Sequence, residues 1–114
     1  MSIRTLARSS LLSQIGRTPL IELDLVESLP PGVRVFGKLE SMNPGGSIKD
    51  RSIARIITHG IADGLLVGGR RLLDSSSGNA GIAYAMFGAA LNIGVTLVVP
   101  GNASRERLER MAAH

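Results

Sequence analysis

The chain has 114 residues, 44% of them hydrophobic and 19% charged, with 13 basic against 9 acidic side chains and a net charge of +4. This balance describes a globular domain and not a disordered segment. The lack of cysteine removes disulfide frameworks and thiolate metal sites, and no run reaches the roughly 18 apolar residues that a membrane span needs.

Eleven of the basic residues are Arg, scattered along the chain. Only Arg105 to Arg110 groups them, and without aromatic residues to stack bases this run reads as a solvated helix face and not as a nucleic-acid site. Arg4, Arg8 and Arg17, with no acid before Glu22, faintly match an organelle presequence; a short amphipathic helix is the simpler reading. A cysteine-free composition permits a reducing cytoplasm, the expected location.

In chain order, residues 1–15 read as a helix, which Gly16-Arg17-Thr18-Pro19 ends because Pro cannot continue it. A short strand over 20–23 follows. Pro30-Pro31-Gly32 is a turn, and 33–40 alternates as a strand whose faces are not cleanly sorted. Asn43-Pro44-Gly45-Gly46 is a loop; Ser47 stands where a helix N-cap belongs, with Asp50 in the first turn. Ile53, Ile56, Ile57 and Ile61 recur at helical spacing, so this helix is expected to bury one isoleucine face. A strand over 71–74, a polar loop over 75–81 and a helix over 80–91, apolar nearly all round, come next. Val95 to Val99, bounded by Gly94 and Pro100, has the composition of a buried parallel strand, and Ser104 opens a last helix. Strand, helix, strand, helix from residue 71 is an α/β pattern: an open parallel sheet with βαβ units.

Of the two lysines, Lys49 stands in the first turn of a helix, directly after Asn-Pro-Gly-Gly-Ser. The positive end of the helix dipole disfavours an ammonium there, and partial burial would disfavour it further. A neutral amine is what Schiff-base chemistry with an aldehyde requires, and glycines let a flat group approach the backbone. A surface lysine that tolerates its position is the competing reading. Ser75-Ser76-Ser77-Gly78-Asn79-Ala80-Gly81 joins a strand to a helix N-terminus, where hydroxyls, free N–H groups and the dipole suit a carboxylate or phosphate. A plain serine cap is the alternative there. No dinucleotide fingerprint, Walker loop or nucleophile elbow is present. His59 and the terminal His114 have no nearby partner for a metal, so no metal site is expected.

Taken together, Ile15-Gly16-Arg17-Thr18-Pro19-Leu20, Asn43-Pro44-Gly45-Gly46-Ser47-Ile48-Lys49-Asp50-Arg51 and Ser76-Ser77-Gly78-Asn79-Ala80-Gly81 resemble, in order and spacing, three motifs of the fold type II pyridoxal-phosphate enzymes. The likeness is specifically to the cysteine synthase and cystathionine β-synthase family, and the segment from Pro100 to Arg107 also fits. The resemblance implies a fold like that of the tryptophan synthase β subunit. It further implies that Lys49 carries pyridoxal 5'-phosphate as a Schiff base and acts as the base at Cα, and that Asn79 hydrogen-bonds the ring oxygen. Ser76, Ser77, Gly78 and Ala80 would take the substrate carboxylate. The implied reaction is β-replacement on a serine-derived amino acid with sulfide or a thiol, in a full-length homodimer that binds neither nucleic acid nor membrane.

Two positions depart from the family loop: Ser76 stands where Thr is usual and keeps the hydroxyl, while Ala80 loses one. Threonine dehydratases and serine racemases usually carry a His at that second position, so Ala80 points to the synthase branch, with O-acetylserine sulfhydrylase ahead of cystathionine β-synthase as the simpler enzyme. The family's phosphate cup and its serine at the pyridine nitrogen belong to a C-terminal half. The expectation is therefore that 1–40 packs on such a domain, that 41–114 begins the small cofactor and substrate domain, and that the 114 residues alone are inactive. A truncated relative without activity is the remaining alternative.

Overall fold

The computed structural model describes residues 10–24, 29–76 and 78–114. The expected first helix falls partly outside that range; the described part is α1 (Ser10–Ser13). Two strands, β1 (Leu20–Glu22) and β2 (Phe36–Lys38), pair antiparallel with Leu20 opposite Lys38. The alternation over 33–40 thus yields only three strand residues, and a 3₁₀ turn over Glu40–Met42 ends it. Arg34 holds Glu22 from the neighbouring strand at 2.6 Å and lies 4.9 Å from the Phe36 ring centre.

The longest helix, α2 (Lys49–Ala62), starts two residues after Ser47. Ile48 already has helical φ/ψ of −59° and −21°, and the Ser47 hydroxyl accepts the Lys49 N–H at 3.1 Å, so Ser47 caps the helix as its position indicated. Ile53, Ile57 and Ile61 form the buried stripe at i, i+4, i+8, whereas Ile56 is 50% exposed. The expected four-isoleucine face is three residues wide, because a strict i+4 series leaves the i+3 position on its flank.

After β3 (Leu72–Ser75), one residue later than the sequence indicated, α3 (Asn79–Leu91) starts one residue early. Eight of its residues are buried, as its all-round apolar composition requires. It stops in a Schellman arrangement: Asn92 takes the left-handed conformation at φ 54°, Ile93 N–H bonds Gly88 O at 2.8 Å, and Asn92 N–H bonds Ala89 O at 3.3 Å. The chain then enters β4 (Val95–Val98), parallel to β3 with Leu72 opposite Val95 and Ser75 opposite Val98. The expected βαβ unit is present. Its last strand is not buried on both faces, however: Val95 and Leu97 lean on α3 and the core while Val98 is 57% exposed. Finally α4 (Arg105–Ala112) has no buried residue, so Arg105 to Arg110 is the solvated face the sequence indicated.

One core joins these elements. Ile53, Ile57 and Ile61 of α2 meet Leu72 of β3 and Ala83, Tyr84, Met86, Phe87 and Leu91 of α3, with Leu11, Leu12 and Ile15 packed on its edge. Phe87 and Ile57 are completely buried, and side chains of that size contribute roughly 1.5–3 kcal/mol each. This packing fixes α2 beside α3, and so fixes the relative placement of the two loops that open them.

Candidate functional site

The loop before α2 is held from several sides. Asn43 is buried; its Oδ1 accepts the Gly16 N–H at 2.9 Å and its Nδ2 donates to Glu40 O and Oε2. Glu40 also accepts from the Thr18 hydroxyl at 2.9 Å and from Arg51 through two bonds, Nε at 2.7 Å and Nη2 at 2.9 Å. The Arg51 guanidinium, helped by Asn43 and Thr18, holds the Glu40 carboxyl down at about 2. Gly16 and Thr18, from the first motif, are thereby tied to Asn43 and Arg51, from the second.

Asp50 is fully buried, and its Oδ2 accepts the Gly45 N–H at 2.5 Å. The two residues after Lys49 are therefore already engaged, Asp50 inside and Arg51 at the rim, while the Lys49 side chain is exposed. Burial thus adds nothing against the ammonium of Lys49: the first turn points position 50, not 49, into the protein. Lys38 by contrast donates to Thr18 O. Gly46 adopts φ +83°, which favours glycine and leaves bare backbone beside the lysine.

The second loop leaves the carboxyl end of β3. The Ser76 hydroxyl accepts the Gly81 N–H at 3.0 Å and the Gly78 N–H at 3.3 Å, so it caps the start of α3 from inside the loop. The Asn79 and Ala80 N–H groups have no partner among the described residues, and the first turn of α3 carries no acid. Asn79 is exposed, and a Cβ on Gly78 would meet nothing within 4 Å. Ser77 lies outside the described residues. Free N–H groups at an acid-free helix start bind anions, whereas Asp50 occupies the corresponding place in α2.

The two loops lie at one edge of the molecule. Arg110 of α4 donates to Gly45 O at 3.3 Å, and its neighbour Met111 lies against Gly81, where a Cβ would come within 2.7 Å of Met111 Cε and 2.9 Å of Ser76 O. Consecutive residues are about 3.8 Å apart, so one turn of α4 touches both loops. A cavity of about 230 Å³ lined by Ile61, Arg70, Asn92 and Gly94 sits instead at the C-terminal ends of α2 and α3, away from Lys49, Ser76 and Asn79.

The sequence named Lys49, Ser76, Ser77, Gly78, Asn79 and Ala80 as site candidates; the contacts that Asp50, Arg51, Arg110 and Met111 make with the two loops were not foreseen. Asp50 and Arg51 had a signal, since both belong to the lysine motif. Arg110 reaches Gly45 across 65 residues and had none.

An exposed amine at a glycine-rich helix start, on the same edge as a helix start whose first N–H groups have no partner among the described residues, has the chemistry that a carbonyl group and an anion would need. The chain belongs to the pyridoxal-phosphate dependent enzyme family, which matches residues 11–114, and it has the fold type II architecture. It is 45% identical over 103 residues to the cysteine synthase of Aquifex aeolicus, covering 89% of this chain and 32% of that protein. It superposes on the cysteine synthase of Entamoeba histolytica with a TM-score of 0.85 at 38% identity, over 91% of this chain and 32% of the other. It also superposes on the O-acetylserine dependent cystathionine β-synthase of Helicobacter pylori with a TM-score of 0.80 at 31% identity, over 90% and 34%. The chain thus spans about a third of the length of these relatives.

Proposed function

We propose that this chain supplies the cofactor lysine and the substrate-carboxylate loop of a cysteine synthase, an O-acetylserine sulfhydrylase that uses pyridoxal 5'-phosphate and works as a cytoplasmic homodimer. One observation carries the reading: Asp50 and Arg51, the two residues after Lys49, are consumed in holding its loop, while the Lys49 side chain stays exposed at the edge shared with the N–H groups that open α3. The donor set fits the cofactor. Lys49 would hold its aldehyde carbon, Asn79 would donate its side-chain amide to the ring oxygen, and the glycine backbone admits a planar ring.

The cofactor, when bound, supplies an electron sink for the Cα of the amino acid. Lys49 Nζ then takes the Cα proton, as its exposure and short reach from the helix start allow. The Asn79 and Ala80 N–H groups, with the Ser76 and Ser77 hydroxyls and Gly78, orient the substrate carboxylate. At Cβ the bond to the acetate oxygen breaks, acetate leaves, sulfide forms the new C–S bond, and Lys49 returns the proton to Cα.

A cystathionine β-synthase activity is the second reading, favoured by the likeness to the Helicobacter pylori enzyme. To separate them, a full-length enzyme in which this chain is joined to the C-terminal half of the family is supplied with O-acetylserine and either sulfide or homocysteine, and Lys49→Ala serves as the control. Cysteine formation with sulfide that Lys49→Ala abolishes is expected. Turnover with homocysteine alone would favour the second reading, and equal turnover by Lys49→Ala would overturn both.

A further inference from the structure

Gly45 is gripped on both sides. Its N–H belongs to one peptide plane and is held by Asp50 of α2; its carbonyl belongs to the next and is held by Arg110 of α4. The rotation between those two planes is the φ and ψ of Gly45, the residue type with the most backbone freedom to lose. A Cβ at Gly45 would stand 2.5 Å from Asp50 Oδ1, so the fit of carboxylate to glycine is close. Asp50 is an unusual choice for so dry a position. It is 0% exposed, its Oδ1 has no partner among the described residues, and burial pushes its carboxyl above the ordinary value while the Gly45 N–H and the Arg110 charge act against that. A carboxylate kept there at such expense of solvation requires a task beyond filling space. Arg110, by contrast, is exposed, and α4 has no buried residue of its own.

We propose that Asp50 and Arg110 are a pair of positioning residues for Lys49, which by gripping the two peptide groups of Gly45 from separate helices fix the loop that presents the amine. This rests on the reading of Lys49 as the cofactor lysine. The two residues touch neither cofactor nor substrate in this scheme; they act through Gly45. Because both act on the same pair of torsions, their effects must be coupled and not additive.

The test uses the full chain freed of cofactor, with pyridoxal 5'-phosphate as the probe. The rate of its capture by Lys49 is followed by borohydride trapping and peptide mapping, alongside the thermal midpoint. Arg110→Ala removes an exposed side chain and should leave the midpoint nearly unchanged, yet slow capture roughly tenfold, the size of one lost hydrogen bond. Arg110→Lys should restore most of that rate. Asp50→Asn keeps an acceptor for Gly45 N–H and should capture near the normal rate, whereas Asp50→Ala should be slow, and adding Arg110→Ala to it should slow capture by much less than tenfold further. Unchanged rates in Arg110→Ala, or additive losses in the double variant, would overturn the pairing. If Asp50→Ala does not fold, the Arg110 variants and Asp50→Asn decide. No adduct at Lys49 in the unaltered chain would instead remove the cofactor reading itself, and this proposal with it.

Discussion

Arg51 grips Glu40 through two parallel bonds, Nε to Oε2 at 2.7 Å and Nη2 to Oε1 at 2.9 Å, and the same carboxylate accepts from Thr18 and Asn43. One acidic side chain therefore binds the turn after α1 to the first turn of α2. Bidentate, charge-assisted geometry of this kind is the strong form of an ion pair.

The first prediction concerns acid. The Glu40 carboxyl in the folded protein sits at about 2, below its ordinary 4.5, chiefly because of Arg51. A depressed folded value adds stability that is fully present above 4.5 and is lost as pH falls from about 4.5 towards 2. Urea midpoints of the full chain should fall through that window, and Glu40→Gln should start lower and be flatter across it. Identical slopes for the two proteins would show that the pair is too solvated to matter.

Alkali tests the other side of the core. Tyr84 is buried in α3; burial first, then the Asp74 carboxylate of β3, pushes its phenol up to about 12 from 10.0. A raised folded value gives stability that is fully present below pH 10 and is lost as pH rises towards 12. Tyr84→Phe should cost about 0.5–1.5 kcal/mol at neutral pH and lose that alkaline slope, as measured by denaturation between pH 8 and 12. An unchanged slope would mean that Tyr84 is not its source.

Two glycines should respond differently to Ala. At Gly88 the new Cβ would lie 2.5 Å from Val95 Cγ2 and 2.9 Å from Ile93 O, so Gly88→Ala should destabilise by about 1–3 kcal/mol through overpacking. At Gly81 it would press on Met111 Cε, which can move, and on Ser76 O, which is backbone. Gly81→Ala should therefore reduce amino-acid affinity of the full chain more than its stability, and Met111→Ala should not rescue it. Rescue by Met111→Ala would place the obstruction in the side chain instead.

Ser76 has a capping role in addition to its proposed place at the carboxylate. Ser76→Ala removes the acceptor for Gly78 and Gly81 N–H and should lower stability by about 0.5–2 kcal/mol, as lost helix caps do. Ser77→Ala, argued from the motif alone, should weaken amino-acid binding by about 1.5–3 kcal/mol and leave cofactor affinity nearly unchanged. Equal losses of both affinities in Ser77→Ala would contradict its role at the carboxylate.

Much of this was legible because local rules and the fold agreed. The apolar run from Ala80 to Leu91, the Gly94 and Pro100 bounds of β4 and the Ser104 start of α4 each carry their own signal, and each element lies where the pattern put it to within a residue or so. Ile56 was misread because four isoleucines fit a helical period while α3 covers a stripe only three wide. Which residue of the lysine motif faces inward was not legible: Asp50 takes the inward position in that turn and Lys49 the outward one. The links of Gly45 to Arg110 and of Gly81 to Met111 depend on tertiary packing of α4, which no periodicity encodes.

The most direct measurement is borohydride reduction of the full chain loaded with pyridoxal 5'-phosphate, followed by peptide mapping. Lys38 donates to Thr18 O, whereas Lys49 is exposed at the helix start. A pyridoxyl group on the peptide containing Lys49, and its loss in Lys49→Ala, is the predicted result. A pyridoxyl group at Lys38, or none at either lysine, would contradict the account.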